Sequence, residues 1–375
     1  MERFIAIDYL RNFANFCRCI IHAAVPYMVT KAPIWPVDDN GDWFFDFTIF
    51  EIHLFVMELF FVISGFMFMM LLKKKSTYKV IIDRFKRIFI PFLLGLLILI
   101  PIVLSLFSLS SFSGSELIKI ETITKCYSQG WKLAIQNLFP TAHLWFLFYL
   151  IIFYTLTILF KKNINYINNL SVKQILFIGI IISSICMFFM DRWIVDNPLT
   201  LIPDIPSLIH YYIFFIIGIL IFNSSRFLKT IIDNSKRIFI AGLFIALLAS
   251  IPQIFFERND LYYYQIIELL AILLSCSSSY LLVIGFWGIA YNLKLPDSKT
   301  LRYITDSSYW VYIINMPIVT IIQIVLMPFD ISIFLKFIIV LCSGLFISMF
   351  SYEYFVRYTF IGTILNKKRH RKPKY

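Results

Sequence analysis

Charged residues are scarce in this chain of 375 residues. They make up 15% of the sequence, whereas an ordinary soluble domain contains about 25%. Hydrophobic residues make up 60%, and the mean hydropathy is +0.81. A composition this apolar excludes a soluble globular enzyme and predicts a polytopic membrane protein.

The sequence also lacks the features of several other protein classes. Its six cysteines have no metal-ligand spacing, and all but Cys126 fall in apolar segments, so we expect neither a disulfide framework nor a metal site. The apolar N-terminus carries charges and no small-residue cleavage site, so we interpret it as a retained span and not as a signal peptide. Without an internal repeat or a long linker, residues 1–375 are predicted to form one domain, with a basic cytoplasmic tail at 356–375.

Ten segments are apolar and long enough to cross a membrane as helices. The fold is therefore predicted to be all-α, and the even number of spans places both termini on the same side of the membrane. The predicted spans are 5–28, 44–72, 88–107, 141–160, 172–190, 207–223, 238–256, 262–291, 309–327 and 332–355.

Lysine and arginine are concentrated on one side of this predicted topology. Basic inter-span segments lie in the cytoplasm in multi-pass proteins, so both termini are predicted to be cytoplasmic. The net charge of +12 then reflects topology and not a nucleic-acid-binding surface. The basic residues on this side include Lys73, Lys74, Lys75, Lys79, Lys86, Lys161, Lys162, Arg226, Lys229, Lys236, Arg237, Lys294, Lys299, Arg302, Lys367, Lys368, Arg369, Arg371, Lys372 and Lys374.

The first span has a polar face. On a helix, its polar side chains fall within an arc of about 120°. Two of them, Arg11 and His22, are eleven residues apart, which is about 16 Å along the axis. Ionisable groups on one face of a span indicate a functional site, although ion pairs that fix the helix in its bundle are an alternative. The face consists of Asp8, Arg11, Asn12, Asn15, Arg18 and His22.

The stretch IFEIHLFVMELFFVISGF of the second span contains four polar residues that carry potential chemistry. On a continuous helix, Glu51 and Glu58 share one face, and His53 and Ser64 share another. Glu58 lies about 13 Å into the span, where a carboxyl group must be paired, protonated or exposed to a cavity. Gly65 follows Ser64 and would let another backbone or a ligand approach closely.

Two arginines, Arg84 and Arg87, follow the second span and are one helical turn apart. Their guanidinium groups would suit a phosphate-rich ligand, such as a nucleotide-bearing acyl carrier or a lipid headgroup. They are also typical of residues that anchor a span to anionic lipid. At the outer end of the fourth span, His143 and Trp145 are candidates for binding an extracytoplasmic acceptor, or for an interfacial aromatic anchor.

Several stretches occur in an order and spacing that resemble acyltransferase family 3, the integral-membrane O-acyltransferases, and within it the branch of glucan biosynthesis protein C. The strongest element is an arginine followed after ten residues by a histidine, here Arg11 and His22. An Arg-x-x-Arg element, here Arg84 and Arg87, is the next strongest. The resemblance rests on DYLRNFANFCRCIIHA, ELFFVISGF, RFKRIFIP, HLWFLFYL, HYYIFFIIGILIF and SSYWVYIINMP.

The resemblance implies transfer of an acetyl or succinyl group from cytoplasmic acyl-CoA to a hydroxyl of an extracytoplasmic glycan, in the bacterial inner membrane. It requires no permanently bound cofactor, no metal and no nucleic acid. The predicted site residues form three groups. The catalytic group is His22, Arg11, Asp8 and Glu58; the group that binds the acyl-CoA donor is Arg84, Arg87 and Ser64; and the group on the acceptor side is His143, Trp145 and His53.

The chain departs from many relatives in two respects. Asn315 stands where they carry a histidine, which leaves the branch and the substrate open. We expect no C-terminal hydrolase-like domain of the kind that some relatives carry within residues 1–375, so an accessory envelope protein would have to supply any second transfer step. A homo-oligomer is the other candidate partner. A transporter or flippase without chemistry is the alternative function, because a polar face can line a translocation path. A membrane sensor with a degenerate site is a third.

Overall fold

The computed structural model describes residues 4–366, except 33–34, 113, 161–169, 191–194, 196 and 256–263. The described residues form helices and no strand, which confirms the predicted all-α fold. We label the helices α1 (Ile5–Ala24), α2 (Trp43–His53), α3 (Val56–Lys74), α4 (Thr77–Leu109), α5 (Ile120–Gln136), α6 (Trp145–Leu159), α7 (Val172–Phe188), α8 (Ile205–Asn223), α9 (Ser225–Phe255), α10 (Tyr264–Asn292), α11 (Lys299–Leu326), α12 (Ile333–Ser351) and α13 (Phe360–Asn366).

Each predicted span corresponds to a helical segment of the structure. Within the described part of the chain, eight segments are long and apolar enough to cross a membrane, and α2 and α3 together count as one of them. The other two predicted spans are α1, which carries three charged side chains in its 20 residues, and α7, which has 17 residues. The basic residues Lys161, Lys162 and 367–374 lie outside the described residues.

The second span is not one continuous helix. It is interrupted between α2 and α3 at Leu54 and Phe55, where Phe55 has φ −141° and ψ −19°. The predicted common face of Glu51 and Glu58 assumed an unbroken helical repeat, and the structure places the two residues on separate helices. Helix α4 departs from regular geometry too, with π turns at Phe85–Phe89 and Gly95–Leu99 next to Pro91 and Pro101. Because proline lacks an N–H, such irregular turns are expected close to it.

The external segment 108–140 contains a helix. Helix α5 packs against α4, and a Cβ at Gly130 would lie 2.1 Å from Ser105 Oγ and 2.5 Å from the Pro101 oxygen. Cys126, which we predicted in an external loop, is buried on this helix. Its burial follows from the amphipathic pattern of α5, whose smaller residues face α4.

Helices α3 and α8 approach each other at two glycines. A Cβ at Gly65 would lie 1.9 Å from the Phe215 carbonyl oxygen, and one at Gly218 would lie 2.0 Å from the Val62 oxygen. The prediction that Gly65 admits a close neighbour is confirmed, and the neighbour is the backbone of α8. Small residues at such contacts let spans pack where lipid supplies no hydrophobic force between them.

The segment between α1 and α2 is fixed to the bundle by buried polar contacts. Lys336 of α12 donates to Asp38 at 2.7 Å, and both side chains are almost completely buried. Asp46 accepts hydrogen bonds from the backbone N–H groups of Val29 (2.7 Å) and Thr30 (3.0 Å). These contacts hold the segment over the end of α1 that carries His22.

Candidate active site

The polar face of α1 packs along α11. The Arg11 guanidinium donates to Ser308 Oγ at 2.9 Å and to the Thr305 carbonyl at 2.7 Å. Asn12 donates to Thr305 Oγ1 at 3.0 Å. The two helices run in the same direction, so successive polar positions of α1 meet successive residues of α11.

One turn before His22, Arg18 enters the same interface and is 5% exposed. Its Nη2 atom donates to Asn15 Oδ1 at 3.2 Å and to the Val311 carbonyl at 3.4 Å. The guanidinium carbon lies 5.0 Å from the centre of the Tyr312 ring. Its Nη1 atom lies 3.5 Å from His22 Nδ1.

His22 is half-buried near the end of α1, between α11 and the segment before α2. The Asn315 side chain is adjacent to its imidazole, and the Trp35 ring centre is 5.7 Å away. Trp35 donates to Gln323 Oε1 at 3.0 Å, and Gln323 in turn donates to the His22 carbonyl at 2.8 Å. A hydrogen-bonded chain therefore joins the outer segment to the histidine's own helix.

His143 lies beside this group, in the 3-10 turn that precedes α6. Its Nε2 atom donates to the Ile313 carbonyl at 2.9 Å, and Tyr312 donates to the His143 carbonyl at 2.6 Å. The Nδ1 atom is buried without a hydrogen-bond partner in the structure. His143 also lies within electrostatic range of Arg18 and His22, so α1, α11 and this turn form one polar cluster.

The other acceptor-side candidates lie in different settings. His53 Nδ1 donates to the Ile49 carbonyl at 2.8 Å, and its ring is close enough to His22 to interact electrostatically. Trp145 is 5% exposed and packs against Phe61 and Tyr211. It is the first residue of α6, at the predicted outer end of the fourth span, and its ring points into the aromatic core between the helices.

Glu58 is paired on a different pair of helices from His22. Its Oε1 atom accepts from His210 Nε2 of α8 at 3.2 Å, and both side chains are buried. His210 lies within HYYIFFIIGILIF, one of the stretches that carry the resemblance, but no role was predicted for it. A buried carboxyl group in one span requires a partner in another, and that requirement was the available signal.

The arginines form a second cluster at the end of the bundle that carries the basic segments. Arg84 donates to Asp83, and Arg87 donates to the carbonyls of Ile364 and Leu365 at the end of α13. Tyr309 donates to the Arg87 carbonyl at 2.7 Å. Its phenol is also within electrostatic range of three guanidinium groups, those of Arg11, Arg84 and Arg87.

Asp8 and Ser64 are the remaining predicted site residues. Asp8 is in the first turn of α1, fourteen residues from His22, which is about 21 Å along the axis. It therefore cannot contact His22, although the two share a helix face. Ser64 is half-buried on α3 beside the Gly65 contact, and the described contacts do not bring it to Arg84 or Arg87.

A bundle of spans with ionisable side chains paired across its interior defines a multi-pass membrane protein with an internal polar site. The family model of acyltransferase family 3, described as an acyltransferase domain, matches residues 4–353. The chain therefore belongs to this family and is a membrane O-acyltransferase. No curated protein and no solved structure matches it. The family match does not distinguish branches, so the likeness to the glucan biosynthesis protein C branch stays a prediction.

Proposed function

We propose that the protein moves an acetyl or succinyl group from cytoplasmic acyl-CoA to a hydroxyl of an extracytoplasmic glycan, in the inner membrane of a bacterium. The observation that carries this proposal is the arrangement of α1. One helix face presents Arg11 to the arginine cluster at the basic end and His22 to the polar cluster near the other end, about 16 Å away.

The arginine cluster suits the donor. Guanidinium groups bind phosphate through charge-assisted hydrogen bonds, and Arg84, Arg87 and Arg11 converge around Tyr309. In acyl-CoA the thioester is at the far end of the pantetheine arm from the nucleotide phosphates. A donor bound by these arginines at the basic end would extend its thioester into the bundle, towards His22.

The polar cluster suits the transfer step. His22 would take the proton of the acceptor hydroxyl as the oxygen attacks the thioester carbonyl. The carbon–sulfur bond then breaks, and the thiolate of CoA recovers the proton from His22. His143 and His53 lie close enough to orient the acceptor beside it.

The experiment measures acyl transfer from radiolabelled acetyl-CoA and succinyl-CoA to a cell-envelope fraction. We expect label in the glycan fraction with the natural chain and loss of that label with His22→Gln, while membrane insertion is retained. His370→Gln, a histidine of the C-terminal tail, is the matched control. Full labelling by His22→Gln contradicts this mechanism, and glycan export without labelling indicates a transporter.

A further inference from the structure

We infer that Arg18 is a second catalytic residue, whose guanidinium binds the oxyanion that forms on the thioester carbonyl. The inference rests on the proposed acyl transfer at His22. It adds an electrostatic partner to the base, taken from a residue that the predicted site did not include.

The Arg18 cation lies in a neutral environment. Arg18 is 5% exposed, and its described contacts are neutral: the Asn15 amide, the Cys19 sulfur, the Val311 carbonyl, the Tyr312 ring and the His22 imidazole. Its Nε atom is buried without a hydrogen-bond partner. A cation in a span is costly without an anion beside it. An unused donor on such a cation is free to bind negative charge that develops on a substrate during the reaction.

The Arg18 cation lies directly beside the base. A guanidinium has donors only, so Nδ1 of His22, 3.5 Å from Arg18 Nη1, must present its lone pair to the arginine. The proton of the neutral imidazole is then on Nε2. The basic lone pair therefore points at the cation, and the contact of 3.5 Å is at the long limit of a hydrogen bond, so the acceptor hydroxyl displaces it when Nδ1 takes the proton. The cation and the base are then neighbours around the reacting oxygen atoms, and acyl transfer requires both within about 3 Å of those atoms.

Arg18 is held in place before the substrate arrives. Asn15 lies three residues earlier on α1 and fixes Nη2, while Val311 of α11 holds the same atom from across the interface. The Tyr312 ring lies under the guanidinium and is itself fixed by its hydrogen bond to the His143 carbonyl. A preorganised donor of this kind stabilises developing charge without reorganising during the reaction.

The acceptor oxygen forms a bond to the thioester carbon, its proton passes to Nδ1 of His22, and the carbonyl electron pair moves onto the oxygen beside Arg18. When the carbonyl re-forms, the carbon–sulfur bond breaks and the CoA thiolate takes the proton from His22. Arg18 carries the same charge at the start and at the end.

The test uses the full-length protein in detergent, with acetyl-CoA and the cell-envelope fraction, and measures release of CoA by chromatography. Arg18→Met removes the cation and keeps an extended side chain. We expect kcat to fall by about 10²- to 10³-fold, as for loss of an oxyanion donor, with little change in the KM for acetyl-CoA. Arg18→Lys should retain part of the activity, and guanidinium ion should partly restore Arg18→Ala. The exposed Arg226→Met is the matched control.

Thermal unfolding and acetyl-CoA binding separate a catalytic role from a structural one. Full activity in a folded neutral variant, Arg18→Met or Arg18→Gln, overturns the inference. So does a loss of activity that runs in parallel with a loss of acetyl-CoA binding and that guanidinium ion does not restore. His22→Gln distinguishes the two proposals: if it is inactive while Arg18→Met is active, only the role of Arg18 fails, and if it is fully active, the proposed mechanism fails as well.

Discussion

Glu58 and His210 form a buried pair between α3 and α8, with 3.2 Å between Glu58 Oε1 and His210 Nε2. The second atom of each group, Glu58 Oε2 and His210 Nδ1, is buried without a hydrogen-bond partner in the structure. The pair holds together the same two helices that meet at Gly65 and Gly218. Glu58 therefore supports the bundle through α8, while the polar cluster around His22 is formed by α1, α11 and the turn before α6.

A double-mutant cycle tests the pairing of Glu58 with His210. Each single change, Glu58→Leu or His210→Phe, leaves one buried polar group without its partner. We expect each to lower the free energy of unfolding by about 3–5 kcal/mol, as for other broken buried pairs. The double variant should lose less than the sum of the two single changes, because neither group is then left unpaired. Additive losses, measured by denaturant titration in detergent, would contradict the pairing.

The sequence predicted the spans because each span is a local property of composition. It did not predict the break at Leu54 and Phe55 or the π turns of α4, which depend on how neighbouring helices pack. It predicted the polar face of α1 from helical periodicity. It could not show that Arg18 has neutral neighbours, or that Glu58 meets His210, because both facts depend on residues more than 150 positions away. His210 is a single polar residue in an apolar run, and periodicity gives no signal for it.

The close contact of α3 with α8 predicts that a Gly→Ala substitution in α3 destabilises the protein, whereas the same change in an ordinary helix is stabilising. In an ordinary helix, Gly→Ala is stabilising by up to about 1 kcal/mol. At Gly65 the added methyl group would meet the Phe215 carbonyl at 1.9 Å, so the two helices must separate. We expect Gly65→Ala to lower the free energy of unfolding by about 1–3 kcal/mol, as for other overpacked sites. Ser64→Ala at the neighbouring position is the control, and a stabilised Gly65→Ala would contradict the packing.

The arginine cluster predicts a selective loss of donor affinity. Arg84→Ala with Arg87→Ala removes two guanidinium groups near Arg11 and Tyr309. Hydrogen bonds to charged groups contribute about 1.5–3 kcal/mol each, so the Kd for acetyl-CoA should rise by at least about tenfold. Calorimetric titration in detergent measures it, with the exposed pair Arg226→Ala and Arg237→Ala as the matched control. An unchanged Kd, together with weaker binding to anionic vesicles, would favour the lipid-anchor interpretation.

Breaking the Asp38–Lys336 pair is predicted to impair acyl transfer without affecting donor binding. Lys336→Met leaves the Asp38 carboxylate buried and unpaired, which costs about 3–5 kcal/mol and should release the segment that carries Trp35. Trp35 is bonded to Gln323, and Gln323 to the His22 carbonyl, so the outer wall of the histidine site loosens. We expect transfer to the envelope fraction to fall while the Kd for acetyl-CoA stays unchanged, because the arginine cluster lies at the other end of α1. Asp38→Asn with Lys336→Met, which removes both charges, should restore part of the transfer. A parallel loss of acetyl-CoA binding in the single variant would show that the two ends of the bundle are not independent.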